Sequence, residues 1–372
     1  MGLLSLIPFN THILDPVKMA LQDFDYNDLA YSQFHKNSHT AVDTNIVIVN
    51  IEDAGRTEIT AMLEKILAQK PVVTGVDVVF NEPKDPATDS VLSGIFAANN
   101  NVVLAYNLAV EKEKVTPTGF LYPSALNKGF ANFVGEEGGT IRYFAASYKS
   151  EERIFESFTS AIMKIASPEK EAAFRKRFHK TSQINYSRTE DKYLVLKGRD
   201  LLKEDTANNF LRDKIVLLGY VSADPNSIED KHFTPLNKKS VGKSVPDMAG
   251  VFVHANIISM INSEDYITKW PTWLVWTLAV ILCWLHMSLF IRYFVDKHIW
   301  FHLVAKTAQL LSAVLIVYLG LLFFYKWDIK INLTPSFVAI ILAVDVLYFY
   351  EAIVAWLHKK FGFYSLFIHH AH

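Results

Sequence analysis

The sequence predicts a mostly parallel α/β sheet with flanking helices and an antiparallel hairpin, followed by an all-α bundle of three transmembrane helices. Before residue 269, short apolar runs alternate with stretches in which apolar residues recur at helical spacing. After it, residues 270–291 and 307–325 contain no Lys, Arg, Asp or Glu. These stretches and a third, 333–353, are each about long enough to cross a bilayer, which takes roughly 20 residues.

The elements follow in a regular order. Apolar strand-like runs at 45–51, 72–80, 101–109 and 214–221 are separated in the early part by helical patterns at 57–69 and 89–100. Strands that alternate with helices indicate a parallel sheet with crossover helices, and the nearly continuous apolar character of these runs indicates burial on both faces. We expect the remaining elements to be a hairpin formed by 129–134 and 140–146, helices within 155–178, and a helix at 250–262 that leads into the first apolar stretch.

Composition limits the function. The chain has 37 Lys and Arg against 38 Asp and Glu, a balance that disfavours nucleic acid as the partner because nucleic-acid-binding domains carry a basic face. The single cysteine, Cys283, cannot form an internal disulfide. No glycine-rich phosphate loop, G-x-S-x-G or H-E-x-x-H motif occurs. We therefore expect no enzyme activity and no cofactor.

Four segments are expected: a membrane-helix end at 1–14, an α/β domain at 15–268, three transmembrane helices at 269–358 and a short cytoplasmic tail at 359–372. The apolar start, MGLLSLIPF, lacks the features of a signal peptide, and we interpret it as the end of a longer helix. The slight excess of basic residues at 292–297 and 359–360 indicates that this side is cytoplasmic. The large domain would then lie in the periplasm, with the chain in the inner membrane of a bacterium.

The order of several motifs resembles one known family. VTGVDVVFNEP (73–83) is followed by NNVVLA, GFANF, GTIR and KIVLLG, then by a D-x-x-x-T-P segment at 230–235, by GVFVHANII (250–258) and by three membrane helices. This order is similar to that of the CHASE-type extracellular sensory domain of the second type. The resemblance implies an input module of a bacterial transmembrane receptor, although no cyclase or kinase output follows the third span in this sequence.

Acidic residues follow the predicted strands. Asp53 follows the first strand, Asp77 lies inside the second, and Glu82 follows it, with Asp85 and Asp89 beyond. Ligands collect at the carboxyl edge of a parallel sheet, so these groups could bind a ligand or a hard cation such as Ca²⁺ or Mg²⁺. The alternative is structural: Asp77 holds the following loop, Asp89 caps a helix and Asp85 is solvated.

A second group of candidates lies near the start of the last soluble helix. His254 and Asn256 could contact a ligand, and His254 could instead reach Asp230 and Thr234 in the long polar loop and pin it. Arg142 beside Asn132 could bind an acidic ligand, or form a salt bridge within the hairpin.

Three ionisable residues lie inside the predicted membrane spans, His286, Asp345 and Glu351, and Glu351 is the nearest of them to the cytoplasmic surface. His286 and Asp345 are about fourteen and twelve residues into two spans that run in the same direction, so at ~1.5 Å per residue they lie at similar depth. A charge within the bilayer normally faces a partner or water. We expect a His286–Asp345 contact, or alternatively an Asp345 that faces a span of another protein.

The function expected from these patterns is that of a membrane-anchored, sensor-like protein without its own output domain, which acts through other membrane or envelope proteins and binds a small-molecule ligand. The alternatives are a structural or accessory subunit of a larger membrane complex and a metal-dependent enzyme.

Overall fold

A computed structural model of the chain describes residues 25–34, 36, 40–111, 114–119, 122–134, 139–150, 153–203, 209–224, 226–237, 245–295 and 299–363. The chain divides into two compact units, the first ending at Tyr266 and the second beginning at Ile267. The expected membrane-helix end at residues 1–14 and the last part of the expected tail, 364–372, lie outside the described residues.

The first unit alternates strands and helices. In chain order its elements are α1 (Asp28–Ser32), β1 (Asp43–Asn50), α2 (Arg56–Ala68), β2 (Val73–Asp77), α3 (Pro86–Ala98), β3 (Val102–Glu111), β4 (Lys114–Thr118), β5 (Asn127–Phe130), β6 (Tyr143–Phe144), β7 (Ser147–Ser150), β8 (Arg153–Glu156), α4 (Phe158–Ala166), α5 (Pro168–Arg177), β9 (Ser182–Gln183), β10 (Tyr193–Lys197), α6 (Gly198–Lys203), β11 (Ile215–Gly219), β12 (Lys231–His232), β13 (Met248–Ala249) and α7 (Gly250–Ser263).

Seven of these strands form one sheet. Its order is β10-β1-β11-β2-β3-β4, and β5 also pairs with β3. All pairs are parallel except β3–β4, which is antiparallel. Asn50, Gly219 and Asp77 are in register, so the carboxyl ends of β1, β11 and β2 lie side by side.

Helices cover both faces of the sheet. On one face, α2 and α3 contribute Met62, Leu63 and Phe96 to a core cluster with alternate residues of β1, β2, β3 and β11. On the other face, α4 packs against β2 and β3, and α7 against β1 and β11. The predicted parallel strands and the helices between them are confirmed, because burial on both faces produces the continuous apolar strands seen in the sequence.

The expected hairpin of 129–134 with 140–146 is wrong. Residues Asn127–Phe130 instead form β5, parallel to β3, and only an isolated bridge joins Val134 to Tyr143. The reason is a close approach at Gly129, where a Cβ atom would lie 2.4 Å from Cα of Phe158. Within the residues that the structure describes, the antiparallel pairs of the first unit are β3–β4 and the short ribbons β6–β9, β7–β8 and β12–β13.

The second unit comprises β14 (Thr268–Lys269), α8 (Thr272–Val295), α9 (Phe301–Trp327), β15 (Ile329–Lys330) and α10 (Thr334–Phe361). All three helices are long and apolar enough to cross a membrane, with mean hydropathy of 2.1 to 2.2. Parallel pairing of β14 with β15 ties the start of the unit to the α9–α10 connection. Gln309 of α9 is buried, and its Nε2 donates to the backbone oxygen of Ile340 in α10 at 2.7 Å.

Candidate functional site

Asp77 ends a buried strand at the carboxyl edge of the sheet. Its side chain is 14% exposed, and its carboxyl group makes no hydrogen bond with any described residue. The neighbouring strand ends in Gly219, where a Cβ would lie 3.3 Å from Cβ of Asp77 and 3.0 Å from the side chain of Val251. The missing side chain therefore lets α7 approach the end of β2 and face Asp77.

His254 is the group that α7 presents to Asp77. Its Nε2 lies 3.9 Å from Oδ1 of Asp77, too long for a hydrogen bond, while Nδ1 shares a hydrogen bond with the hydroxyl of Thr159 at 3.1 Å. The rings of Phe133 and Phe158 lie 4.6 Å and 5.1 Å from the imidazole. The imidazole is thus held on three sides and directed at the carboxyl group.

The polar loop brings two more titratable groups to this place. Pairing of β12 with β13 carries Asp230 and His232 to the start of α7, where a Cβ on Gly250 would lie 3.4 Å from Nε2 of His232 and 3.7 Å from Oδ2 of Asp230. The ring of His232 lies 5.1 Å from that of Phe133. Phe133 therefore contacts both imidazole rings.

Burial determines the charge state of this cluster. It raises the pKa of Asp77 to about 7, and the nearby Asp230 adds to the rise. It lowers the pKa of His254 to about 3, and His232 adds to the decrease. A desolvated charge is unfavourable, so below neutral pH the carboxyl group keeps its proton and the imidazole stays neutral.

The long polar loop, residues 224–248, is held in place by contacts other than those expected. Thr234 binds Asp247: its backbone N–H donates to that carboxylate at 2.8 Å, and its hydroxyl donates to the same carboxylate. Burial raises the pKa of Asp247 to about 6. The D-x-x-x-T-P segment thus has two functions, since its Thr holds the loop while its Asp reaches the cluster.

Asn256, expected beside His254, serves the fold. Its buried carboxamide accepts from the backbone N–H of Arg188 at 3.1 Å and donates to the backbone oxygens of Arg188 and Phe252. These bonds use both ends of the amide, so Asn256 pins the segment before β10 to α7.

The other acids at the sheet edge are dispersed. Asp53 is 80% exposed and pairs with Arg199 at 2.9 Å, and no contact among the described residues joins it to Asp77. Glu82 is exposed, and its backbone oxygen accepts from Arg56. No group of three or more His, Cys, Asp or Glu side chains that could hold a metal ion occurs in the described part of the chain.

The helix cap expected of Asp89 is provided by Asp85, and Asp89 instead forms an ion pair. Asp85 caps α3 by accepting from the backbone N–H of Thr88 at 2.9 Å, whereas Asp89 lies in the first turn. Asp89 pairs with Arg56 and accepts from Tyr122 and from the backbone N–H of Lys84. Its bonds hold the loop after β2 against α2 and Tyr122.

Arg142 binds an acid that was not expected. Its Nε donates to both carboxylate oxygens of Asp28 at 3.1 Å, and both side chains are buried. Asn132 instead accepts from the backbone N–H of Leu108. The ion pair therefore fastens α1 to the segment before β6.

The expected His286–Asp345 contact is not formed. Nδ1 of His286 lies 2.8 Å from the backbone oxygen of Leu282, and its ring packs on Phe290, whereas Asp345 is exposed on the surface of the second unit. Similar depth in the membrane is not enough for the two side chains to meet, because Asp345 lies on the side of α10 opposite the residues that pack inside the unit, such as Ala343 and Leu347.

Sequence reasoning missed His232, Thr159 and Phe133. One signal was available: His232 lies two residues after Asp230, inside the D-x-x-x-T-P segment that the sequence had already singled out. No local pattern indicates Phe133 or Thr159, because β5 and α4 reach the cluster only through the order of the sheet.

An α/β unit with a largely buried polar cluster, continued by three candidate membrane helices, defines the class of a membrane-anchored α/β domain. The CHASE2 domain family matches residues 7–290, and the chain belongs to this family. CHASE2 is a sensory domain, so the match confirms the resemblance drawn from the order of the motifs. No curated protein and no solved structure matches the chain.

Proposed function

We propose that this chain is a membrane-anchored sensor whose first unit binds a small molecule at Asp77, His254, Asp230 and His232. One observation carries the proposal: Asp77 is largely buried, faces His254, and makes no hydrogen bond with any described residue. A carboxyl group that the fold leaves without a hydrogen bond, on a side chain that is only 14% exposed, is able to accept hydrogen bonds from a ligand.

The charges of the cluster favour a ligand that donates hydrogen bonds or carries a positive charge. Asp77 and Asp230 are close enough for their charges to interact unfavourably, and a cation between them would remove that repulsion. The neutral His254 can accept from the ligand through Nε2, and the ring of Phe133 offers an aromatic face. The chemical class is therefore a small amine or another organic cation.

Chain continuity supports transmission to the membrane. His254 lies on α7, which ends at Ser263, and β14 begins at Thr268. Because β14 pairs with β15, a displacement of residues 268–269 acts on α8 and on the α9–α10 connection together. A change at His254 thus has a covalent path to all three candidate spans.

The proposed location is the inner membrane of a bacterium, with the first unit in the periplasm. It is supported by the basic residues between α8 and α9 and at the end of α10, which the positive-inside rule places in the cytoplasm. We propose that other proteins of the envelope read the state of the membrane helices.

The test measures ligand-induced stabilisation of the full chain in detergent at pH 7. Primary amines and quaternary ammonium compounds are compared with carboxylates of similar size. A bound ligand at 100 times its Kd stabilises by about 2.7 kcal/mol, so we expect cations to raise the unfolding temperature and carboxylates to have no effect.

Variants locate the site. Asp77→Asn and His254→Gln should lose the response to cations, whereas the matched carboxyl variant Asp53→Asn should keep it. A response that survives in Asp77→Asn, or stabilisation by carboxylates alone, would contradict the proposal.

A further inference from the structure

Two opposite charges lie on the outside of the second unit. Lys306 of α9 and Asp345 of α10 both fall within candidate membrane spans, and both side chains are exposed. Neither forms a hydrogen bond or ion pair with any residue in the described part of the chain. Hydrocarbon cannot solvate a charge, and ionisable residues in spans normally pair or face water.

The two residues lie at about the same depth. Ala305 packs in one cluster with Ala343, Val344 and Leu347. Lys306 follows Ala305 and Asp345 follows Val344. The hydrogen bond from Gln309 to the backbone oxygen of Ile340 holds the same crossing of α9 and α10 one turn away.

Asp345 faces away from its own bundle. At 3.6 residues per turn it lies about 160° around α10 from Ala343 and Leu347, which are packed inside the unit. The neighbours that share its outward side are apolar and exposed, namely Ile341 and Phe349. Lys306 of the same chain forms no ion pair with Asp345, so the partner that Asp345 requires within a membrane comes from outside the chain.

We propose that a second copy of this chain is that partner, with Lys306 of one copy paired to Asp345 of the other. Copies inserted in one membrane are related by rotation about the membrane normal, which leaves the depth of every residue unchanged. Equal depth is the condition for such a pair. A helix of a different protein with one basic residue would form an ion pair with Asp345 but would leave Lys306 unpaired. A second copy of this chain provides a lysine for Asp345 and an aspartate for Lys306.

The first test uses two differently tagged copies expressed together and purified in mild detergent. Reversal of either charge, Lys306→Asp or Asp345→Lys, should lower co-purification of the second tag by about tenfold, the effect of about 1.4 kcal/mol. The double variant Lys306→Asp/Asp345→Lys should recover it. Lys326→Asp, at an exposed lysine near the other end of α9, is the matched control and should change nothing.

Unchanged association of the single variants, or no recovery in the double variant, would overturn the proposal. Selective loss of a different co-purified protein with Asp345→Lys would also overturn the proposal.

A second experiment applies if the charge-reversed chains do not accumulate. One copy then carries Lys306→Cys and the other Asp345→Cys, both with Cys283→Ala. A short membrane-permeant bis-thiol reagent should join these copies, and Val280→Cys with Asp345→Cys is the control pair. Absence of the joined species at native protein levels also overturns the proposal.

Discussion

At the scale of single residues, the main finding is where protons reside. Asp77 binds its proton more tightly in the folded chain than an ordinary aspartate, and His254 binds its proton more weakly than an ordinary histidine. Burial causes both shifts, and the adjacent Asp230 and His232 reinforce them. Below neutral pH the site therefore holds one carboxyl proton, which the cationic ligand of the proposed function would displace.

These opposite pKa shifts predict that the contributions of Asp77 and His254 to the pH dependence of stability cancel. From about pH 4 to 6.5 the folded chain carries one proton on Asp77, and the unfolded chain carries one on His254. The pair then contributes no slope. Asp77→Asn leaves only the histidine, so stability should rise with pH by up to about 1.4 kcal/mol per pH unit in this window.

His254→Gln should show the opposite slope. Only the raised pKa of Asp77 remains, and stability should fall as pH rises from about 4 to about 7. Unfolding of the full chain in detergent, followed at several pH values, measures both slopes. Equal slopes in the two variants would show that the opposite pKa shifts of Asp77 and His254 do not cause the pH dependence of stability.

The buried pair of Arg142 with Asp28 predicts a stability effect far from the site. Arg142→Met leaves a buried carboxylate without its partner and should cost about 3–5 kcal/mol in the free energy of unfolding. Asp28→Leu/Arg142→Met should regain most of the loss. Lys203→Met breaks the exposed pair with Asp200 and is the control with little expected effect. Equal destabilisation by both single variants would contradict the role of burial.

At the scale of elements, close approaches decide where strands and helices meet. β5 runs against the start of α4 because Gly129 has no side chain, and this contact replaces the hairpin that the sequence predicts. The same contact positions Phe158 beside His254. The packing of one strand thus determines part of the candidate site.

Two glycine substitutions distinguish the need for a missing side chain at Gly129 from the general effect of replacing a flexible glycine by alanine. Gly129→Ala should destabilise by at least about 1–3 kcal/mol, because the new Cβ would overlap the backbone of Phe158. Gly94→Ala, in α3 with nothing within 4 Å of the new Cβ, should stabilise by about 0.5–1 kcal/mol. Thermal unfolding of both variants checks the signs. A stabilising Gly129→Ala would show that β5 and α4 are not in close contact.

At the scale of the whole molecule, the chain joins a sensory α/β unit to three candidate spans through one short segment. The helix that carries His254 continues, after residues 264–267, into a strand paired with the α9–α10 connection. One short segment therefore connects the first unit to this pairing. Under the proposed orientation, the α8–α9 connection lies in the cytoplasm and the first unit in the periplasm.

Single-cysteine labelling tests this topology. In a Cys283→Ala background, Lys149→Cys and Asn332→Cys should react with an impermeant thiol reagent in intact cells whose outer membrane is permeable. Ile299→Cys, in the α8–α9 connection, should react only after the inner membrane is opened. The side chain of Ile299 is 89% exposed, so lack of labelling reports membrane sidedness and not burial. Labelling of Ile299→Cys in intact cells would contradict the proposed orientation.

The sequence by itself determined the parallel α/β part, the three apolar helices and the family. These properties depend on local periodicity and on the order of short motifs, which are visible along the chain. It also singled out Asp77, Asp230 and His254, because polar residues at the end of a buried strand and beside a buried helix are conspicuous.

Only the tertiary structure decided which of these groups meet. Asp77 and His254 face each other because β11 lies between β1 and β2 and ends in Gly219, so that α7 approaches the edge of the sheet. The same folding directs Arg142 to Asp28 and Asp345 outwards. Side-chain encounters between distant segments depend on strand order and on the space left by small residues, and neither quantity has a period along the sequence.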